Sequence, residues 1–458
     1  MRSRKTMDLT TGPIMGKMMI FVMPILFSNL VQHLYNAADK AVVGHFVGSG
    51  ALAAVGASSP AITLIVSLFT GLSIASNIIC SNYRGAKDEE SLRRFMHSAI
   101  STACMMGLVL FTMGQIAARP ILTLMDTPES VMDKGVLYMR IYFAGVPASL
   151  VYNFGSGILR AHGDSSRPMK ILSISGLANV LLNLFFVLVC KMDVDGVALA
   201  TAAAHYISAG WVLWLLFAPK GEYRLQLKKL GIRLADFCQI IRVGVPCSIN
   251  SIMFSLSNAI MQPFVNVLGE TVLAGNTAAN GVVNLVHQIM AAFYAGCISI
   301  AGQCYGAKKY SRVDKVLKCS LLASVGSLTV VAIVVTLIPR ALISIFNSDP
   351  AVVEAGMPRL LICTWGYILY AVADMFLGCL RGMKRTTVPA LMNVFTICAP
   401  RILWVYLVYP LLPQGTASIF LCYPVSYVIS IVAFAIYYFR WRKVLSQRGD
   451  EVFDPVTA

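Results

Sequence analysis

Charge is what this sequence has least of. Only 13% of its 458 residues are Asp, Glu, Lys or Arg, against roughly 25% in an ordinary soluble domain. Acids are scarcer than bases, 21 against 37, and most of them lie in loops or at helix ends. No acid-rich DDxxD cluster of the kind a membrane prenyl transferase needs is present. Asp88, Glu89 and Glu90 are adjacent, but they sit in a basic loop and read as solvated charge. The twelve cysteines form no CxxC pair and have no His spacing suited to zinc, so they read as small buried hydrophobes. Short alternating strands, the mark of a membrane β-barrel, are also missing. These absences argue against an enzyme, a cofactor protein and a metal centre.

What remains is apolar: 57% hydrophobic residues and a mean hydropathy of +0.72. Runs of about twenty or more apolar residues recur, each long enough to cross a hydrocarbon core of about 30 Å as a helix. Twelve are predicted, at roughly 14–46, 51–82, 96–118, 136–160, 166–190, 196–219, 237–268, 272–304, 316–338, 355–381, 387–410 and 415–439. The fold class is therefore all-α integral membrane, since helices satisfy their own backbone groups in lipid. The net charge of +16 follows from topology. With the N-terminus inside, 29 of the 37 Lys and Arg fall in inside segments and 6 outside, leaving Lys40 and Arg401 within helices. Both termini are expected on the cytoplasmic side, and no nucleic-acid partner is expected. The first apolar run is too long for a secretory signal and lacks a small-residue cleavage site, so it is expected to stay as the first helix.

The sequence repeats itself. Gly85-Ala86-Lys87 recurs as Gly306-Ala307-Lys308, Leu159-Arg160 as Leu380-Arg381 and Pro168 as Pro389, all at an offset of 221. Pro24 matches Pro246 with the offset changed by one residue. Because six helices is an even number, both halves enter from the same side, which makes the repeat parallel about an axis normal to the membrane. The predicted organisation is an N-lobe over residues 1–219, a linker over 220–235, a C-lobe over 236–441 and a tail over 442–458. Two lobes with acids at non-equivalent positions suit a moving transporter better than a symmetric channel.

Two acids stand out inside apolar runs, Asp39 and Asp374. An ionised carboxylate there costs roughly 2.5 kcal/mol or more unless paired or wetted, which marks an ion or substrate path. Asn36 and Tyr35 lie three and four residues before Asp39, on the same helix face, with Gln32 a turn further back. The fifth run offers Asn179 and Asn183 one turn apart, and the sixth Thr201. These neutral oxygens could complete a cation site with one carboxylate, with Na⁺ the candidate ion, or hydrogen-bond the carboxyl when it is protonated. Packing of amides between helices is the alternative, as is a local pairing of Asp39 with Lys40. Tyr370 lies one turn before Asp374, an acid beside an aromatic that suits an organic cation. The repeat sets Asn153 against Asp374, and Met261 or Gln262 against Asp39. Pro24 should kink the first helix or serve as a hinge. His33, His45, His205, His287 and Arg401 read as structural, with His287 also a candidate for the substrate cavity.

Pro24, Tyr35-Asn36, Asp39, Val43-Gly44, Gly48 and Ala51-Leu52-Ala53-Ala54-Val55-Gly56 together resemble the helix-one to helix-two signature of the multidrug and toxic compound extrusion (MATE) family. Arg84-Gly85-Ala86-Lys87, the Leu159-Arg160 to Pro168 loop and Gly196-Val197-Ala198-Leu199-Ala200-Thr201 are similar to further segments, so that the match covers nearly the whole chain. The resemblance implies a V-shaped fold of two six-helix lobes that exports drugs or metabolites in exchange for Na⁺ or H⁺. It also implies that Asp39, Asn179, Asn183 and Thr201 line an N-lobe ion site, with Pro24 the bending point of helix one. Asn183 stands where the DinF-type branch has Asp, and the Tyr370 and Asp374 pair looks more like the NorM-type branch, although 237–268 holds no acid where that branch often has Glu. The expected protein is a bacterial inner-membrane antiporter, acting as a monomer, whose partners are small-molecule substrates, a coupling cation and the bilayer. A lipid-linked oligosaccharide flippase is the alternative, but it would need several buried bases for a pyrophosphate, and only Arg401 and Arg160 are candidates.

Overall fold

The computed structural model describes residues 6–42, 46–47, 49–218, 223, 225–413 and 415–447, and within these every regular element is helical. Twelve long helical runs follow one another: α1 (Ile14–Val42), α2 (Ser49–Ala86), α3 (Glu89–Leu124), α4 (Glu129–Ala161), α5 (Ser166–Val189) and α6 (Val194–Phe217), then α7 (Leu234–Asn266), α8 (Glu270–Gly306), α9 (Tyr310–Leu337), α10 (Pro350–Gly382), α11 (Thr387–Leu411) and α12 (Thr416–Leu445). A short helix, Pro339–Ser344, lies between α9 and α10. Eleven of the twelve are long and apolar enough to span a membrane. The exception is α4, which carries Asp133, Lys134, Arg140, Asn153 and Arg160 along its length, while its buried Gly145, Gly155 and Gly157 let neighbouring helices approach closely.

The repeat is visible in the backbone. Helix α2 ends in a left-handed Lys87 and α8 in a left-handed Lys308, with φ of 59° and 56°. In each, the next amide N–H reaches back to a carbonyl five residues earlier, Asp88 to Tyr83 and Lys309 to Cys304, which closes off the last turn. The ends of α4 and α10 repeat the device at Gly163 and Lys384, with φ of 81° and 60°. Glycine is required at 163, where a Cβ would overlap the Met7 carbonyl oxygen.

Two compact units result. Unit 1 contains 1–8 and 27–248; unit 2 contains 9–26 and 249–458. The division therefore cuts inside α1 and α7 and not at the segment 220–235. The first part of α1 packs within unit 2, where Val22 lies against Gly296 and the Leu9 N–H donates to Gln303 Oε1 at 3.1 Å. The first part of α7 packs within unit 1, where Ser248 Oγ donates to the Leu68 carbonyl. Pro24 and Pro246 each stand two residues before the division of their helix. Proline removes a backbone hydrogen bond at the point where each helix changes its packing partners.

Candidate functional site

Unit 1 encloses a cavity of about 440 Å³ walled by α1, α2, α4, α5 and α6. One face of α4 contributes Tyr138, Tyr142, Ser149, Asn153, Ser156 and Arg160, and one face of α6 contributes Val197, Thr201, His205 and Ser208. Both sets recur at helical spacing. From α1 come Ser28, Gln32, Tyr35 and Asp39. Asp39 is the only carboxylate among the described residues lining this space, and Arg160 the only Lys or Arg.

Asp39 heads a polar chain that runs through three helices. Asn183 Nδ2 donates to Asp39 Oδ1 and lies 3.4 Å from Asn179 Oδ1. Asn179 Nδ2 in turn lies 3.4 Å from Thr201 Oγ1, which donates to the Val197 carbonyl at 3.0 Å. An ionised carboxylate only accepts, so it must meet the NH₂ end of the Asn183 amide. That leaves Asn183 Oδ1 buried without a hydrogen-bond partner. Both asparagines are buried, at 2% and 0% exposure. A carboxylate, two side-chain amides and a hydroxyl thus meet in one hydrogen-bonded chain, and their oxygens are of the kind that bind a small hard cation. Tyr35, Tyr138 and Tyr142 lie close enough to Asp39 to interact with it electrostatically. Tyr35 is seated against Gly176 of α5, where a Cβ would overlap its ring.

The residues singled out in sequence divide between the two units. Asp39, Asn179, Asn183 and Thr201 come together, and Gln32, Tyr35 and Asn153 line the same cavity. Asn36 is on α1, but its side chain lies outside the described residues, as does His45. The side chain of Lys40, the alternative partner of Asp39, also lies outside the described residues. His205, read as structural, lines the cavity, while Arg160, Tyr138, Tyr142 and Tyr152 join it without having been singled out as cavity residues. Their signal was the regular spacing of polar and aromatic residues along α4.

Unit 2 has a different interior. Asp374 is buried on α10, one turn from Tyr370, but the Tyr370 ring stacks on Tyr427 with centroids 4.6 Å apart. The cation facing these aromatics belongs to the protein: the Arg401 guanidinium lies 4.1 Å over Tyr423 and 5.4 Å over Tyr427. It also donates to Ser257 Oγ at 3.0 Å, Asn258 Oδ1 at 3.3 Å and Ser426 Oγ at 3.4 Å. His287 contacts the Tyr367 ring at 5.7 Å. Gln262 is exposed on α7 and donates to Asn266 at 2.9 Å. Arg401, read from the sequence as structural, is the centre of this cluster.

Twelve long helices among the described residues, a two-unit internal repeat and a polar cavity inside one unit define a multi-pass membrane protein of the transporter type. More narrowly, the chain belongs to the MatE family, whose profile matches residues 24–185 and 246–407. It is 28% identical over 440 residues to the probable multidrug resistance protein YoeA of Bacillus subtilis, covering 93% of this chain and 94% of that one. It is 22% identical over 385 residues to the probable multidrug resistance protein NorM of Thermotoga maritima, covering 83% and 82%. In fold it matches a multidrug resistance MATE family transporter of the MOP superfamily solved in an outward-facing conformation, with a TM-score of 0.90, 19% identity and coverage of 96% and 99%.

Proposed function

We propose that this protein is a secondary active antiporter that exports amphipathic, often cationic, drugs or metabolites in exchange for Na⁺ or H⁺. The observation that carries the reading is Asp39, the only carboxylate among the described residues lining the unit 1 cavity, hydrogen-bonded into a chain of amides and a hydroxyl. Na⁺ would take the carboxylate together with the Asn183, Asn179 and Thr201 oxygens; H⁺ would sit on the carboxylate itself. Either ion neutralises a buried charge. It therefore shifts the balance between outward- and inward-open states by its differential affinity for them. Pro24 and Pro246, each just before the point where its helix changes units, are the positions at which such a change would bend the chain.

The names of the MatE relatives, multidrug resistance proteins among them, support drug export. The protein would lie in a bacterial inner membrane with both termini in the cytoplasm and work as a monomer. A pyrophosphate-linked lipid has little to hold it in the unit 1 cavity, where Arg160 is the only Lys or Arg among the described residues.

The test is efflux of a fluorescent organic cation from proteoliposomes under two separate gradients, Na⁺ at fixed pH and pH without Na⁺. Export that accelerates under one of them identifies the coupling ion. Export indifferent to both overturns the antiport reading.

A further inference from the structure

We propose that the segment between the two halves of the chain, together with the start of α3, forms a binding site for the headgroup of an anionic phospholipid. A cavity of about 820 Å³ lies between residues 226–233 and the first turns of α3. Its wall is pinned by hydrogen bonds. The Gln226 N–H donates to His97 Nε2 at 2.9 Å, and His97 Nδ1 meets the Arg93 carbonyl at 2.7 Å. Ser98 Oγ donates to Asp236 Oδ2 at 3.0 Å and accepts from the Arg233 N–H at 3.3 Å.

The charges around this cavity do not cancel. Arg94 is paired with Asp236 at 3.7 Å, and Glu89 with Arg84 at 2.6 Å. Arg93, Lys229 and Arg233 line the space with exposed side chains that make no ion pair or hydrogen bond among the described residues, and only Glu90 opposes them. Three positive groups around a cavity that can admit a phosphodiester, with one acceptor for a headgroup hydroxyl, match the chemistry of phosphatidylglycerol.

The second observation says the occupant is a lipid. Large aliphatic side chains alternate with the bases along the same segment, and Leu227 and Leu234 are 71% and 75% exposed, with Leu230 and Ile232 also open. A stretch with bases and unburied aliphatics side by side lies in the membrane interface, with its apolar groups among the acyl chains and its bases at the phosphate level. Each Lys or Arg near an anionic surface is worth about fivefold in affinity. Three bases less one acid give a preference of roughly 25-fold for an anionic over a zwitterionic headgroup.

The experiment is native mass spectrometry of the full-length protein in neutral detergent, titrated separately with phosphatidylglycerol, phosphatidylcholine, glycerophosphoglycerol and inorganic phosphate. The expected result is one phosphatidylglycerol retained about 25-fold better than phosphatidylcholine, with the two chainless anions bound far more weakly. Combined Arg93→Gln, Lys229→Gln and Arg233→Gln should abolish the preference, and Glu90→Gln should raise it about fivefold. Because the Glu90 variant is read as a gain, misfolding cannot imitate it. Equal retention of the two lipids by the wild-type protein, or no change in either variant, overturns the proposal. Inorganic phosphate displacing phosphatidylglycerol at equal concentration also overturns it, in favour of a soluble anion.

Discussion

Replacing Asp39 by Asn is the sharpest test of the unit 1 site, because it removes a charge while keeping the shape. The Asn side chain still offers an oxygen to Asn183 Nδ2, the contact that now holds the carboxylate, so packing among α1, α5 and α6 should survive. What disappears is the attraction between a unit negative charge and the entering cation. At a separation of about 4 Å and an effective dielectric constant of about 20, that attraction is about 4 kcal/mol. This corresponds to a cation affinity roughly a thousandfold weaker, beyond what a physiological gradient can overcome. Proteoliposomes loaded with a fluorescent organic cation should show export driven by the Na⁺ or pH gradient in the wild-type protein and only gradient-independent leak in the variant. An unchanged thermal unfolding midpoint in detergent would show that the variant is folded. An Asp39→Asn protein that still exports in proportion to the gradient refutes the reasoning, and the coupling charge must then be sought elsewhere.

Asn183→Leu should keep the branched shape but remove both the donor to Asp39 and the buried amide oxygen of the same side chain. If Na⁺ is the coupling ion, loss of the amide oxygen should raise its half-saturating concentration about 10- to 100-fold in transport titrations; if H⁺ is, loss of a donor that favours the ionised carboxylate should leave proton binding no weaker. Gly176→Leu forces a side chain into the Tyr35 ring. It should lower stability by about 1 to 3 kcal/mol in thermal unfolding, and at permissive temperature weaken substrate binding through the displaced ring. At the end of α4, burial holds the His162 imidazole down at about 4, below its ordinary value of 6.5, although a hydrogen bond to the Ile158 carbonyl pulls the other way. Between those two values the unfolded chain binds a proton that the folded chain refuses. Stability is therefore full above pH 6.5 and falls as pH drops toward 4, by about 3 kcal/mol. Denaturation midpoints measured across that range should show the decline, and His162→Phe should flatten it.

The polar cluster at Asp39 was legible because its members carry local signals: an acid in an apolar run, two amides one turn apart on α5, and a hydroxyl on α6. Their convergence follows from helix packing, which brings those faces together at Asp39. The role of Arg401 was not legible. Its ring partners Tyr423 and Tyr427 lie on α12, and nothing in a sequence reports which aromatic face a guanidinium on another helix will meet. Nor could the composition show that α1 packs in two units, since one uninterrupted helix looks the same whichever neighbours its ends touch. The tyrosines of α4 had the right spacing, yet a Tyr-rich face reads equally well as packing until a cavity is found beside it.

How the halves diverged can be followed in the register. The offset of 221 holds from Lys87 and Lys308 through Gly163 and Lys384 to Pro168 and Pro389. In α11 a π-helical turn then intervenes at Val394–Cys398, whereas the corresponding stretch of α5 remains α-helical until Leu184. A π turn accommodates one extra residue, so beyond it the offset becomes 222. That is also the offset between the two family-matched segments. In this register Arg401 stands where unit 1 has Asn179, and Asn258, which accepts from Arg401, stands where unit 1 has Asn36. Unit 2 thus buries two guanidinium groups, Arg381 and Arg401, with one carboxylate, Asp374. Among the described residues, the unit 1 cavity has one carboxylate and one guanidinium, at Asp39 and Arg160. Asp374 already has a tethered cation acting on its charge, the Arg381 guanidinium, so that carboxylate has less need of a visiting ion. Under the proposed antiport, Asp39, with an unpartnered amide oxygen on its Asn183 partner, is then the carboxylate better suited to a charge that comes and goes.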